Sequence, residues 1–272
     1  MNQPSDLRVL ASFVTCVPAP GPGTSVAVVL DRVARRYAFG ALWLAAAGNL
    51  VVGLAAVVLR PFGAPPMVEV AALITVFYLV RGVRLIDGFA DLSEGLWLGL
   101  GRRAPRDAVW AAIRSPANGA YGILSVGLVI IWQVALYLTL VALPSARMLT
   151  VLTVAGACGP LAVVAAHTGG NRYRLDSAFH GFGASLGRPI ALALALPAIA
   201  FAGWAIHWAA WTPAPAARMA AAQILGAVAA GVATRALTLR AAGAFNGDVI
   251  GFCTLAGEMV AVAAALAAAG GI

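Results

Sequence analysis

Long apolar runs alternate with short polar stretches along almost the whole chain. The runs lie near residues 38–59, 67–80, 120–143, 149–166, 189–211, 219–234 and 249–270. A helix needs roughly 20 residues to cross a bilayer, so the second, fourth and sixth runs are short and must be tilted, broken or extended by their neighbours. The pattern predicts an all-α, polytopic integral membrane bundle of about seven transmembrane helices, a single membrane-embedded domain over residues 1–272. A briefer apolar run at 9–17 is expected to lie on the membrane surface. It makes a poor signal peptide, because no net positive charge precedes it and the stretch Pro18 to Pro22 that follows suits cleavage badly.

Composition agrees with this pattern. Hydrophobic residues form 62% of the chain, charged residues 10%, and the mean hydropathy is +0.91, leaving too little polar surface to cover a soluble core. The basic charge is all arginine, 18 residues without a lysine. With a cytoplasmic N-terminus and seven spans, 15 arginines fall in inside segments, and the outside loops hold only Arg60, Arg147 and Arg218. That asymmetry follows the positive-inside rule and predicts a multi-pass protein of the cytoplasmic membrane. The net charge of +8 does not point to nucleic acid, because the arginines abut spans without a basic helix or an aromatic platform. Anionic headgroups or a phosphate-bearing substrate explain them better. Cys16, Cys158 and Cys253 are odd in number and far apart, so neither a disulfide nor a zinc site is expected.

Acidic residues number only ten, and five of them fall in two places: Asp87, Asp91 and Glu94, then Asp248 and Glu258. Carboxylates beside apolar spans are costly and need a partner, for which a divalent metal is the natural candidate. Asp87, Asp91 and Glu94 stand at i, i+4 and i+7 of a proline-free segment, which puts them on one helical face suited to a hard cation with oxygen ligands. Gly88 and Gly95 thin the helix beside that face. A structural salt-bridge patch with Arg81, Arg84, Arg102, Arg103 and Arg106 is the plainer alternative. The second cluster, Asn246-Gly247-Asp248, can be merely a helix cap, but Glu258 lies two to three turns into an apolar span, where an ionisable residue is a functional candidate. Packing of the last span on the acidic helix would gather five carboxylates.

These segments resemble the cobalamin synthase family, adenosylcobinamide-GDP ribazoletransferase. The family's Asp-Gly-Leu-Ala-Asp-x-x-Asp-Gly-Leu appears as Asp87-Gly88-Phe89-Ala90-Asp91-Leu92-Ser93-Glu94-Gly95-Leu96. Its Gly-Gly-x-Thr-Gly-Asp corresponds to Gly243-Ala244-Phe245-Asn246-Gly247-Asp248, followed by Glu258, and its Phe-Leu-Thr-x-x-Pro-x-Pro to Phe13-Val14-Thr15-Cys16-Val17-Pro18-Ala19-Pro20. Arg36-Tyr37 stands where the family opens its first span. One motif departs. The family's Lys-Asp-x-x-x-Gly-x-x-Gly reads Arg114-Ser115-Pro116-Ala117-Asn118-Gly119-Ala120-Tyr121-Gly122, which keeps a basic residue and both glycines and loses the aspartate. The segment from His167 to Gly187 matches no family pattern.

The resemblance implies a Mg2+-dependent transfer of the cobinamide-bearing phosphoryl group of adenosylcobinamide-GDP to alpha-ribazole or its 5'-phosphate, with release of GMP on the cytoplasmic face. It assigns Asp87, Asp91, Glu94 and Asp248 to the metal, and Asp91 and Glu94 also to catalysis, with Glu94 as a candidate base for the acceptor hydroxyl. Arg84 and Arg114 are candidates to clamp the diphosphate through bidentate guanidinium contacts. Arg102, Arg103 and Arg106 are expected to serve topology, and His167 and His180 to sit in a solvated loop with Arg172, Arg174 and Asp176. His207, among Trp204, Trp208 and Trp211, is expected at headgroup level. Two other functions compete: the acidic stripe is also similar to that of CDP-alcohol phosphotransferases, though Asp91 stands where they have arginine, and a transporter would use buried carboxylates for a coupling ion. The sequence leaves the oligomeric state open, a homo-oligomer included.

Overall fold

The computed structural model describes residues 26–167, 172–174 and 213–270, together with Ala11 and Thr15. The expected span at 189–211 lies outside the described residues, as do His180, Asp176, Arg188 and His207 and most of the segment at 9–17. The described chain is helical: α1 Val26–Leu59, α2 Pro66–Arg81, α3 Arg84–Leu96, α4 Arg106–Ile113, α5 Ala120–Val141, α6 Ser145–His167, α7 Pro213–Ala241 and α8 Asp248–Ala268. A short 3-10 turn, Arg60–Phe62, follows α1, and a π turn, Trp97–Gly101, follows α3. Among the described residues, five stretches are long and apolar enough to cross a membrane: Gly40–Phe62, Ala120–Val141, Ser145–His167, Ala217–Ala241 and Asp248–Ala268.

The second expected span is the one that changes character. At 16 residues, α2 is too short to cross alone, and it meets α3 at a bend of 90°. Gly82, at φ 81°, makes that bend, a backbone conformation that glycine adopts without a Cβ clash. The α3 segment is strongly amphipathic and leaves α2 at a right angle instead of continuing its path. Counted as one broken unit, the pair brings the spans among the described residues to six.

Helix α6 is the centre. It is buried along 89% of its apolar stretch, whereas α5 and α7 are buried over only 28% and 22% of theirs. Helices approach α6 closely because small residues stand at the crossings. A Cβ at Gly156 would lie 2.5 Å from the Ala45 carbonyl of α1, and one at Gly231 of α7 only 2.2 Å from the Ala162 carbonyl. Away from the acidic end, Arg60 ties the ends of four helices together, those of α1, α2, α5 and α6. It donates to the Glu69 carboxylate (3.2 Å), the Leu143 carbonyl (3.1 Å), Ser145 Oγ (2.7 Å) and the Val141 carbonyl (2.7 Å).

Crossings this tight set a specific expectation. Gly231→Ala should lower thermal stability in detergent by roughly 1–3 kcal/mol, because the Ala162 backbone cannot yield as a side chain would. Gly127→Ala, whose Cβ meets nothing within 4 Å, should leave the unfolding midpoint unchanged or slightly higher.

Candidate active site

The acidic helix is held by its small residues. Along α3, Leu85, Gly88, Ala90, Leu92, Ser93 and Gly95 are buried, while Asp87 is exposed and Asp91 and Glu94 are half-buried. Gly88 rests on the first turn of α8: a Cβ there would stand 3.0 Å from the Asp248 carbonyl oxygen and 3.2 Å from its Cα. Gly251 answers from the other side, 3.0 Å from the Arg84 carbonyl on the same measure. Phe89 and Phe252 stack beside this contact with centroids 4.7 Å apart. The last span does pack on the acidic helix. An open cleft of about 320 Å³ lies along the seam, lined by Arg84, Asp87, Gly247, Asp248 and Gly251 among others. Burial, with the Asp248 and Asp87 carboxylates nearby, raises the Asp91 carboxyl to about 6.

The turn that presents Asp248 is braced from three sides. Tyr173 and Phe245 form a parallel bridge, in which Phe245 N donates to the Arg172 carbonyl (2.8 Å) and Arg174 N to the Phe245 carbonyl (3.2 Å). Behind it His167 closes α6, hydrogen-bonded to Tyr173 Oη at 2.7 Å and to the Val163 carbonyl, with its ring against Phe245. From α4, Trp110 Nε1 donates to the Ala242 carbonyl at 3.0 Å, and Arg106 packs on Gly243, whose φ is 74°. Asn246 Nδ2 donates to Asp248 Oδ2, and Asn246 Oδ1 is buried without a hydrogen-bond partner. The cap reading of this turn fails, because the N-cap position is Gly247, with no side-chain cap bond, and Asp248 is the first helical residue.

Several expected residues sit elsewhere. Glu258 does not join the carboxylates; it is 3% exposed and pairs with Arg81, which is 1% exposed. Arg81 is therefore a core residue and not a topological anchor. Glu94 lies in the seam between α3 and α5: its Oε2 accepts the Gly122 N–H at 2.7 Å, and a Cβ at Gly119 would stand 2.5 Å from Oε1. A carboxylate at a helix N-terminus is held by free amides and the helix dipole. Arg84 lines the cleft as expected, whereas Arg114 ends α4 with its guanidinium 5.8 Å from the Trp110 ring centre and is not among the cleft's lining residues. Arg102 binds Tyr121, donating from Nε to Oη at 3.1 Å. His167 is buried, so the solvated-loop expectation was wrong for it; the aromatic neighbours Tyr173 and Phe245 were the available signal. Among the described residues, no three His, Cys, Asp or Glu side chains form a ready metal cage.

A family model described as cobalamin-5-phosphate synthase matches residues 6–266. The chain belongs to the cobalamin-5-phosphate synthase family. That membership makes it a transferase of late cobalamin biosynthesis. No curated protein and no solved structure matches it significantly. In this family member the departing motif at Arg114–Gly122 acquires a physical reading. Its two retained glycines are the cradle of Glu94, while Ser115, where the family aspartate is missing, makes a local turn with Ala117 (Oγ to carbonyl, 3.0 Å) away from the cleft.

The raised Asp91 carboxyl has a consequence for stability. Its folded-state value lies above the ordinary carboxylate value of 3.8, so its contribution is present below that pH and is lost as pH rises through about 6. In chelator, the thermal midpoint should therefore fall between about pH 4 and about pH 6 and level off above that, and Asp91→Asn should flatten part of that fall. An identical profile for the variant would show that Asp91 is not the group responsible.

Proposed function

We propose that this protein joins adenosylcobinamide-GDP to alpha-ribazole or its 5'-phosphate, releasing GMP, in a Mg2+-dependent reaction at the α3–α8 seam. The observation that carries the reading is the Gly88–Gly251 contact, which sets Asp87 of one helix and Asp248 of another on an open cleft that also holds Arg84, with Asp91 near enough to feel both carboxylates. The residues suit magnesium. Every available donor is an oxygen, Asn246 Oδ1 is a buried acceptor with no protein partner, and an ion that keeps several of its waters needs no complete protein cage. Asp87 and Asp248 would hold it, and Asn246 would orient Asp248. When bound, Mg2+ supplies neutralisation of the diphosphate and of charge developing on the transferring phosphoryl group.

The chain's own groups then have separate tasks. Arg84 offers a guanidinium to a diphosphate oxygen from the cleft wall. Asp91, beside the Asp248 and Asp87 carboxylates, would take the proton of the acceptor hydroxyl as the hydroxyl oxygen bonds to the cobinamide-bearing phosphorus and the bond to GMP breaks. Glu94 keeps α5 docked on α3 and so holds the acidic helix in place. Arg114, on the face of Trp110, serves the α4 brace. The acidic end is assigned to the cytoplasm of a plasma-membrane protein, because Arg84, Arg102, Arg103, Arg106 and Arg114 gather there, with Arg60, Arg147 and Arg218 opposite. Exposed apolar side chains such as Leu54, Val58, Ile131 and Trp132 face lipid.

The transporter reading loses its main support. Glu258, the carboxylate deepest in a span, is paired with Arg81 and hydrogen-bonded to Asn49, which leaves it committed to structure.

Purified protein given adenosylcobinamide-GDP, alpha-ribazole phosphate and Mg2+ should release GMP, and chelation should stop it. Asp91→Asn should lower kcat by roughly 10²- to 10⁴-fold. Asp87→Asn and Asp248→Asn should chiefly raise the Mg2+ concentration needed. Turnover that persists in chelator, or an Asp87→Asn variant indistinguishable from wild type, would overturn the reading.

A further inference from the structure

The closest part of the α3–α8 contact does little to fix its register. Gly88 and Gly251 present bare backbone to one another, and two smooth surfaces can slide where interlocking side chains cannot. Beside them the Phe89–Phe252 stack adds side-chain detail at the seam. Yet the cleft needs Asp87 and Asp91 at a set spacing from Asp248, and a slide of one residue moves them by about 1.5 Å.

A buried ion pair connects the same two units deeper in the bundle. Arg81 is the last residue of α2, three positions before the start of α3, and its guanidinium donates to Glu258 Oε1. Glu258 belongs to α8, ten residues beyond Asp248. Its Oε2 accepts from Asn49 Nδ2 at 3.0 Å, and the same amide donates to the Leu152 carbonyl at 3.2 Å, so α1 and α6 join the network. Glycines make the slot. A Cβ at Gly48 would meet Arg81 Cδ at 3.2 Å, and one at Gly159 would stand 2.7 Å from Glu258 Oε1. The pair's energy depends steeply on alignment, because any shift that parts it leaves two charges unpaired in an apolar interior.

We propose that Arg81 and Glu258 are positioning residues: their pairing locks the register of the α2–α3 unit on α8 and thereby sets the spacing of Asp87 and Asp91 to Asp248. The geometric content of the lock is independent of the metal, while its effect on activity rests on the function proposed above. Gly82 bends the chain immediately after Arg81, so the lock sits at the pivot from which α3 departs.

Two readouts test it on the full chain. Phe89→Cys with Phe252→Cys, in a background with Cys16, Cys158 and Cys253 changed to alanine, is joined by a short bifunctional thiol reagent. Cross-linking should be fast with the lock intact and about tenfold slower in Glu258→Gln and in Arg81→Met/Glu258→Met. The double variant keeps the test sound if the single one folds poorly, because replacing both charges by apolar groups of similar size is well tolerated. In GMP release, the folded double variant should need about 10- to 100-fold more Mg2+ for half-maximal rate, with kcat at saturating Mg2+ little changed, a split that general destabilisation does not produce. Wild-type cross-linking in the double variant would overturn the lock. Wild-type protein that turns over without metal would overturn the metal reading instead and leave the cross-link to judge the lock.

Discussion

No side chain stands between Gly88 and Gly251, and the rest of the site depends on that contact. A methyl group at either position would stand 3.0 Å from an opposing carbonyl oxygen, closer than ordinary van der Waals contact, so the backbones would have to part by a few tenths of an ångström. Backbone approach this close places the acidic face of α3 beside the first turn of α8, where burial, with the Asp248 and Asp87 carboxylates nearby, raises the Asp91 carboxyl. Such an arrangement opposes itself electrostatically until a cation is present, and it persists because the apolar packing around it is extensive. Leu85, Leu92, Val249 and Ile250 are all buried close by in sequence to the acidic residues.

The cleft is held from behind by parts of the chain with no chemistry of their own. The bridge between Tyr173 and Phe245, the buried His167 and the Trp110 hydrogen bond together fix the turn at Asn246 to Asp248. The bridge and the Trp110 bond use backbone groups in a turn and just past a helix end, where the chain has no helical partners to offer. Glu94 does the same for α5, whose N-cap residue Gly119 has no side chain to offer. A carboxylate from a neighbouring helix replaces the missing cap, and the glycine at 119 is what lets it come near. The retained glycines of the Arg114–Gly122 segment are thus tied to the acid at 94, and the change at Ser115 falls on a local turn outside the cleft.

Much of the architecture was legible from the sequence. Five of the expected spans coincide closely with helices, because a long apolar run has few alternatives to an intramembrane helix that satisfies its own backbone. The acidic face at Asp87, Asp91 and Glu94 followed from helical periodicity, and the family from the motifs built on it. The break after Arg81 was less visible, since an apolar run that ends in Arg-Gly-Val-Arg reads equally as the end of a span or as a bend within one.

What the sequence determined by itself was therefore local and periodic: the helices, their apolar faces and which acids share a side of α3. Which of those acids meet was decided only by tertiary packing. Asp248 joins Asp87 and Asp91 because glycines on both helices permit contact, whereas Glu258, on the same helix as Asp248, turns to Arg81. Glu94, on the same stripe as Asp91, turns to the amides of α5. The physical reason is common to both cases: a buried or half-buried carboxylate takes the nearest donor, and the nearest donor belongs to another part of the chain.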